Sequence, residues 1–310
     1  MASLKKLTLA QVKQFETDGY VSPIVALSND EVAHYHECLK DFLGRIGLPL
    51  DPGMGHKPHL YLKWVSDLAH HPNILGAVED ILGPNLLIWR SAFFIKQAHD
   101  PHYFPWHQDS AYWSFDSEAV ITAWIALTDS GVENGCVRVV NGSHRRPDLP
   151  HTIRLERNNS LVHGQAAAVE IPEEGITNIE LKAGEISLHH VHLLHGSLGN
   201  HSDNLRVGLV VRYVAPHVRR YGPRQSATLL KGVDECGHFD HEPIPRYDND
   251  PVAVAWHTKS VRRYGAELLW KKLMKPTPKS LLIAGRMIAN RRMLKLAVRY
   301  ISGWVNKRTS

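Results

Sequence analysis

His107-Gln108-Asp109 and His195 lie far apart along the chain. They can serve one site only in a fold that carries distant stretches back onto neighbouring strands. Two imidazoles and one carboxylate on a single face form the donor set that holds iron(II) while leaving coordination positions open. The one-residue gap in His107-x-Asp109 predicts a strand, because alternate side chains leave the same face. The remaining ligand must then come from another strand of the same barrel. His189, His190, His192 and His195 crowd one strand and the turn after it, and spacing alone does not choose among them. Two downstream residues favour His195. Ser197 comes two positions on, and Arg206 falls on the next strand, where a guanidinium can grip a carboxylate through two parallel N–H bonds.

Chance must be weighed against this, since the chain holds 21 histidines. A second tripeptide of the same form, His238-Phe239-Asp240, sits in a loop beside Pro243 and Pro245. Its histidine and His241 are expected to be solvated loop residues or part of a lid. Cys236, His238 and His241 offer zinc no fourth ligand at a closed-site spacing.

Helices come first. Thr8 to Asp18 reads as a short helix capped by Thr8 and ended by Gly19. Ser28 to Phe42 is a second, with Ser28 and Glu31 as a capping box. Val65 to Leu82 is a third, interrupted at Pro72. Strands follow over Leu86 to Gln97, Val120 to Leu127, Cys136 to Val140, Glu185 to His190 and Arg206 to Val214. Val120 to Leu127 is a nearly continuous apolar run, as a strand buried on both faces requires. Helices followed by many short strands predict an α+β chain with a mainly β core. The architecture expected is a double-stranded β-helix of the jelly-roll or cupin type, buttressed by N-terminal helices.

Charge divides the chain. It has 36 basic and 31 acidic residues in all. Ala255 to Ser310 holds fourteen Lys and Arg and one acid, Glu267, which leaves 22 basic and 30 acidic residues in the first 254. The body is net −8 and the tail net +13. Two parts are therefore expected, a catalytic domain over 1–254 and a basic, helical extension over 255–310. Ala266 to Lys275 reads as a short helix and Ser280 to Val305 as an amphipathic one. A basic amphipathic helix can lie on an anionic membrane surface or grip an acidic carrier protein; packing on the barrel is the favoured alternative. Nucleic acid is not expected as a partner, because no recognition motif accompanies the charge. The three cysteines, Cys38, Cys136 and Cys236, are scattered and form no CxxC, which predicts a reducing compartment. No secretory signal is read at the N-terminus, so a cytoplasmic location is expected. No apolar run reaches the roughly eighteen residues a bilayer span needs.

Taken in order, His107-Gln108-Asp109, Ala123 to Asp129, Glu133-Asn134-Gly135-Cys136, Asn141-Gly142-Ser143-His144, Gly184-Glu185, His195-Gly196-Ser197, Asn200 and Arg206 resemble the phytanoyl-CoA dioxygenase family. Phe15-x-x-x-Gly19-Tyr20 matches as well, and the resemblance covers roughly residues 8 to 216. It implies an oxygenase dependent on iron(II), 2-oxoglutarate and O2. By resemblance His107, Asp109 and His195 hold the iron, and Arg206 and Ser197 take the distal carboxylate of 2-oxoglutarate. Trp124 and Phe104 would flank that cosubstrate. Trp106, Tyr112 and Trp113 are candidates for the substrate pocket, with ordinary core packing as the alternative for each. Related halogenases have a small residue where Asp109 stands, so hydroxylation, or desaturation or cyclisation, is expected instead. The substrate implied is a small or medium organic molecule, as in natural-product tailoring. The competing readings are a non-catalytic cupin-like metal-binding or sensor protein, a hydroxylase of lipid-like or carrier-linked acids, and a zinc hydrolase using the same triad.

Overall fold

The computed structural model describes residues 4–50, 53–153, 156–161 and 165–274. The amphipathic helix expected over 280–305 lies outside them. The chain opens with α1 (Leu9–Asp18), β1 (Tyr20–Val25), α2 (Asn29–Ile46), α3 (Lys63–Ala69) and α4 (Pro72–Leu82). Next come β2 (Leu86–Lys96), β3 (Phe104–His107), the single turn α5 (Ser110–Trp113), β4 (Val120–Ala126) and β5 (Val137–Val140). A small hairpin, β6 (His151–Ile153) and β7 (Gln165–Ala167), precedes β8 (Ile176–Ile179), β9 (Glu185–His190), β10 (His195–Ser197) and β11 (Arg206–Val214). The described chain ends with β12 (Ser226–Lys231), β13 (Asp240–His241) and α6 (Pro251–Met274).

Seven strands form one sheet in the order β1-β9-β4-β11-β2-β12-β13, and four form a second, β3-β10-β5-β8. Trp124, Ala126 and Val210 of the larger sheet pack on Val137, Val139 and Ile179 of the smaller. This is the expected jelly roll. The outer face of the larger sheet is closed by helices: Val207, Leu209 and Val211 of β11 share a core with Phe42, Trp64, Leu68 and Val78. Alternation then turns Arg206, Gly208, Val210 and Arg212 to the inside of the barrel. Both faces of β4 are buried along its whole length, which is why it reads as a nearly continuous apolar run broken only by Thr122.

Local chemistry sets the helix ends. Thr8 and Gln11 form a capping box on α1, and Ser28 and Glu31 form another on α2. Gly19 closes α1 with φ 81°, and a Cβ there would lie 2.5 Å from the His144 ring. The interruption expected at Pro72 is a full break: α3 ends at Ala69 and α4 starts at Pro72, whose missing N–H suits a first turn. The short helix expected over 266–275 is part of a longer one, α6, which runs without a break across residues 254 and 255. α6 is fixed to the barrel through its neighbour loop: Ser260 Oγ lies 3.0 Å from His56 Nε2, and His257 Nε2 lies 2.9 Å from the His56 carbonyl. No described helix is long and apolar enough to cross a membrane.

One buried ion pair ties that loop to the sheet edge. Lys57 Nζ donates to Glu242 Oε1 at 2.6 Å and to the Ser226 carbonyl at 2.8 Å. Glu242 also accepts from Ser226 Oγ at 2.6 Å and Thr228 Oγ1 at 3.2 Å. Burial pulls the Lys57 ammonium down and by itself would push Glu242 up, but the Lys57 charge and the His59 ring hold Glu242 at about 2. With three donors converging on one carboxylate, the pair is ionised. Glu242→Ala leaves Lys57 buried without its counterion and should cost about 3–5 kcal/mol in urea unfolding; a loss under about 1 kcal/mol would show the pair to be dispensable. Because Glu242 titrates below its usual 4.5, its contribution is complete above that pH. It should fade as pH falls from 4.5 towards 2, and the fade should vanish in the variant.

Candidate active site

β10 runs antiparallel to β3 with His195 directly opposite His107. One ligand atom from each of His107, Asp109 and His195 lies within 4.8 Å of the others. Asp109 arrives differently from the expectation. β3 ends at His107, and Asp109 has helical dihedrals at the start of α5. The carboxylate is therefore aimed by a strand-to-helix turn and not by strand alternation. Gln108 between them fixes that turn: it is fully buried, its amide donates to the carbonyls of Arg146 (2.8 Å) and His192 (2.7 Å), and its oxygen accepts from Leu149 N–H at 3.0 Å.

The donor set suits a divalent metal. His107 Nδ1 lies 2.8 Å from the Pro105 carbonyl, and His195 Nδ1 lies 2.9 Å from the Leu193 carbonyl. A carbonyl only accepts, so each Nδ1 carries the proton and each Nε2 keeps its lone pair. Burial, reinforced by His195, pushes His107 down to about 3, so the ring is neutral. Burial alone would raise Asp109, but Arg212 and the two imidazoles keep it below the usual carboxylate range. Thr122 Oγ1 donates to Asp109 Oδ2 at 3.1 Å, and Arg212 stands 4.0 Å from Oδ1. The residues present therefore fit an iron(II) ion: two imidazole nitrogens, one ionised carboxylate, and partners that orient all three. His189 packs beside His195 with ring centroids 6.0 Å apart, but its Nε2 meets Ser187 Oγ at 2.9 Å. His190 and His192 turn towards Glu118. Of the second tripeptide, Asp240 pairs with Arg224 and Arg263. Its neighbour His241 lies 2.7 Å from Asp234.

The triad opens on a cavity of about 530 Å³. Its floor is the inner face of β4, β11 and β2, whose registers set Arg206 opposite Lys96, Gly208 opposite Phe94, Val210 opposite Ala92 and Arg212 opposite Arg90. Arg206 and Lys96 are each 1% exposed. Arg206 Nη1 donates to the Gly135 carbonyl, while its buried Nε has no partner. Lys96 donates to Ser197 Oγ at 2.8 Å and to the Leu198 carbonyl. Burial, with Arg206 adding to it, brings Lys96 down to about 7. Among the described residues neither cation has a carboxylate within ion-pair distance. The Trp124 ring lies 5.5 Å from the Arg206 guanidinium and directly over Gly208, where a Cβ would come within 2.2 Å of the indole.

Phe104, Trp124, Ser197 and Arg206 thus line one end of the cavity, and Tyr112 and Trp113 line it near the triad. Trp106 does not line it. Alternation from His107 turns Trp106 outward, where it stacks over Arg138 at 5.4 Å and packs on the Val140–Leu194 cluster. A register shift between β3 and β10 returns Phe104 to the inside. The sequence reading missed Lys96, Thr122, Arg212 and Arg90. Their signal was present only as single polar residues within the expected strands, whose inward face the sequence does not assign.

Residues 53–208 match a family model described as phytanoyl-CoA dioxygenase. The fold is similar to that of a non-heme monooxygenase, ThoJ, in its apo form, with TM-score 0.73 and 31% identity over 83% of this chain and 97% of that one. The nickel complex of ThoJ aligns at TM-score 0.70 and 29% identity, covering 82% and 96% of the two chains. The L-proline trans-4-hydroxylase of Streptomyces griseoviridis is 29% identical over 176 residues, which span 51% of this chain and 65% of the hydroxylase. The geometry predicts one tight divalent-metal site. Calorimetric titration with anaerobic Fe(II) should give one ion per chain, lost in Asp109→Ala. Thr122→Val, which removes the hydroxyl that orients Asp109, should weaken binding about 10-fold or more. Undiminished binding in Asp109→Ala would place the metal elsewhere.

Proposed function

The chain belongs to the phytanoyl-CoA dioxygenase family, and from that premise we propose that it is an iron(II)- and 2-oxoglutarate-dependent oxygenase acting on an unactivated C–H bond of a small or medium organic molecule. The observation that carries this reading is the meeting of His107, Asp109 and His195 at the head of a cavity whose far end holds two basic side chains, Arg206 and Lys96, without a carboxylate partner among the described residues. His107, Asp109 and His195 hold the metal. With 2-oxoglutarate and O2, the bound metal supplies oxidative decarboxylation to succinate and CO2, coupled to oxidation of the substrate. Asp109 fills the position a halide would need, so oxygenation is favoured over halogenation.

The chain's own residues do the binding and positioning. Arg206 and Lys96 take the distal carboxylate of 2-oxoglutarate; buried charges of this kind are stabilised by a counterion with good hydrogen-bond geometry. Ser197, already accepting from Lys96, retains its O–H to donate to the same carboxylate. Trp124 and Phe104 close the sides and keep water from the pair. Tyr112 and Trp113 wall the substrate side near the triad. The name of the proline hydroxylase, and the cavity volume, support a small-molecule substrate; natural-product tailoring is the proposed setting.

Succinate release over a panel of small organic substrates should require Fe(II), 2-oxoglutarate and O2, and should disappear in Asp109→Ala. Turnover without O2 and 2-oxoglutarate would indicate a hydrolase instead, and metal binding without any succinate would indicate a sensor. Arg206→Gln should raise the KM for 2-oxoglutarate by roughly 30-fold or more, the equivalent of at least about 2 kcal/mol. Gly208→Ala drives the Trp124 indole towards Arg206 and should raise the same KM by about 10-fold; an unchanged KM would remove Trp124 from the cosubstrate pocket.

A further inference from the structure

The substrate side of the cavity holds a second pair of cations. Arg90 on β2 and Arg212 on β11 are direct register partners, with both side chains in the cavity wall. Like charges set opposite each other across two strands destabilise a sheet unless something lies between them. Among the described residues Arg90 makes no hydrogen bond and no ion pair. Its guanidinium rests on two aromatic faces, 5.2 Å from the Trp89 ring and 4.3 Å from the Tyr264 ring. Arg212 stacks 4.9 Å from the Trp113 ring. Its Nε is buried without a partner, and its approach to Asp109, at 4.0 Å, is too long for a hydrogen bond.

Local acids among the described residues give neither guanidinium a hydrogen-bonded carboxylate. Glu267 is engaged elsewhere, accepting from Arg220 through one oxygen and from Gln225 Nε2 at 3.0 Å through the other. Gln225 in turn accepts from Trp89 Nε1 at 2.6 Å, and Arg220 Nε donates to the Trp113 carbonyl at 3.0 Å. That chain locks the aromatic walls and neutralises Arg220, leaving Arg90 without an ion pair and Arg212 with only its long approach to Asp109. Burial, with Arg212 and Arg220 adding repulsion against the pull of Tyr264 and Glu267, lowers Arg90 to about 10. An anion placed between the two guanidiniums would relieve the repulsion and supply the partners they lack.

This anion is not 2-oxoglutarate. Lys96 and Arg206 stand six residues along the same two strands from Arg90 and Arg212, about 20 Å at the usual rise. A five-carbon diacid seated at one pair does not reach the other. We propose that Arg90 and Arg212 form an oxyanion subsite for the organic substrate, which carries a carboxylate or phosphate on an aromatic or apolar body that packs against Trp89, Trp113 and Tyr264. The assignment to the substrate, as opposed to the bare anion site, rests on the oxygenase reading above.

The test uses the full chain with Fe(II) and 2-oxoglutarate under anaerobic conditions, read by calorimetry and by quenching of tryptophan fluorescence. The probes are 4-phenylbutanoate, phenyl phosphate and the neutral 4-phenylbutanamide. At least one anion should bind about 10-fold or more tightly than the amide, and Arg90→Gln should remove that advantage, as expected for a lost charge-assisted contact. Arg90→Lys should recover part of it. The ratio between the two anions identifies the oxyanion. Equal binding of amide and anions, no anion binding up to about 10 mM, or unchanged anion affinity in Arg90→Gln would overturn the subsite. The acid–amide comparison on the unmutated chain stands even where a variant fails to fold. Binding of 2-oxoglutarate to the iron-loaded chain is measured separately; its absence sinks the oxygenase reading, while the anion titration without iron still judges the subsite.

Discussion

The register between β10 and β3 is the constraint on which the rest depends. It places His195 across from His107, and the turn after His107 brings in Asp109. A slip of one residue would send the His195 ring to the other side of its sheet. Two features oppose such a slip. Carbonyls two residues upstream, Pro105 and Leu193, hold both imidazoles by Nδ1, so ring direction is tied to backbone position. Gly196 is the other: a Cβ there would lie 2.8 Å from the Phe104 carbonyl, so close pairing of β10 on β3 needs glycine at this place.

Much of this frame was legible because it rests on local rules. The capping boxes of α1 and α2 and the doubly buried β4 each carry a signal within a few residues. β1 escaped because Pro23 lies inside it, and proline argues against a strand; it is tolerated because β1 is the edge of its sheet. Asp109 was found for an incomplete reason, since a one-residue gap suits strand alternation and a strand-to-helix turn equally. Trp106 and Phe104 could not be told apart from spacing, because a register shift decides which of them faces inward. Lys96 and Arg212 were hidden for a different reason. A lysine ending a strand and an arginine inside an apolar run look like solvent contacts until the neighbouring strand is known, and that neighbour is distant in sequence.

The inner face of β2 and β11 orders the cavity along its length. Cation pairs occupy both ends, Lys96 with Arg206 and Arg90 with Arg212, and apolar side chains fill the rows between. Gly208 sits in one of those rows, and its missing side chain is what lets the Trp124 indole lie flat beside Arg206. α6 closes the opposite end: Tyr264 stacks on His56 with ring centroids 4.9 Å apart and 4° between planes, and it also covers Arg90. The helix that begins at Pro251 therefore contributes wall to the cavity, and the change of charge near residue 255 does not mark the limit of the site.

Charge is matched in this protein where it holds the fold and left without a carboxylate partner where anions are proposed to bind. Lys57 and Glu242 are buried, as Arg206 is, yet every oxygen of Glu242 has a donor. Arg220 likewise has Glu267. A barrel able to build those pairs could have supplied carboxylates for Lys96, Arg206 and Arg90 as well. Leaving several cations dry in one cavity costs free energy in the empty protein, and that cost is recovered only when anions enter. Affinity and position then come from the same source. Under the proposed function, the anion that best satisfies each pair is also the one held at a fixed distance from His107, Asp109 and His195, so the same charges would select the ligands and set which atom is presented to the metal.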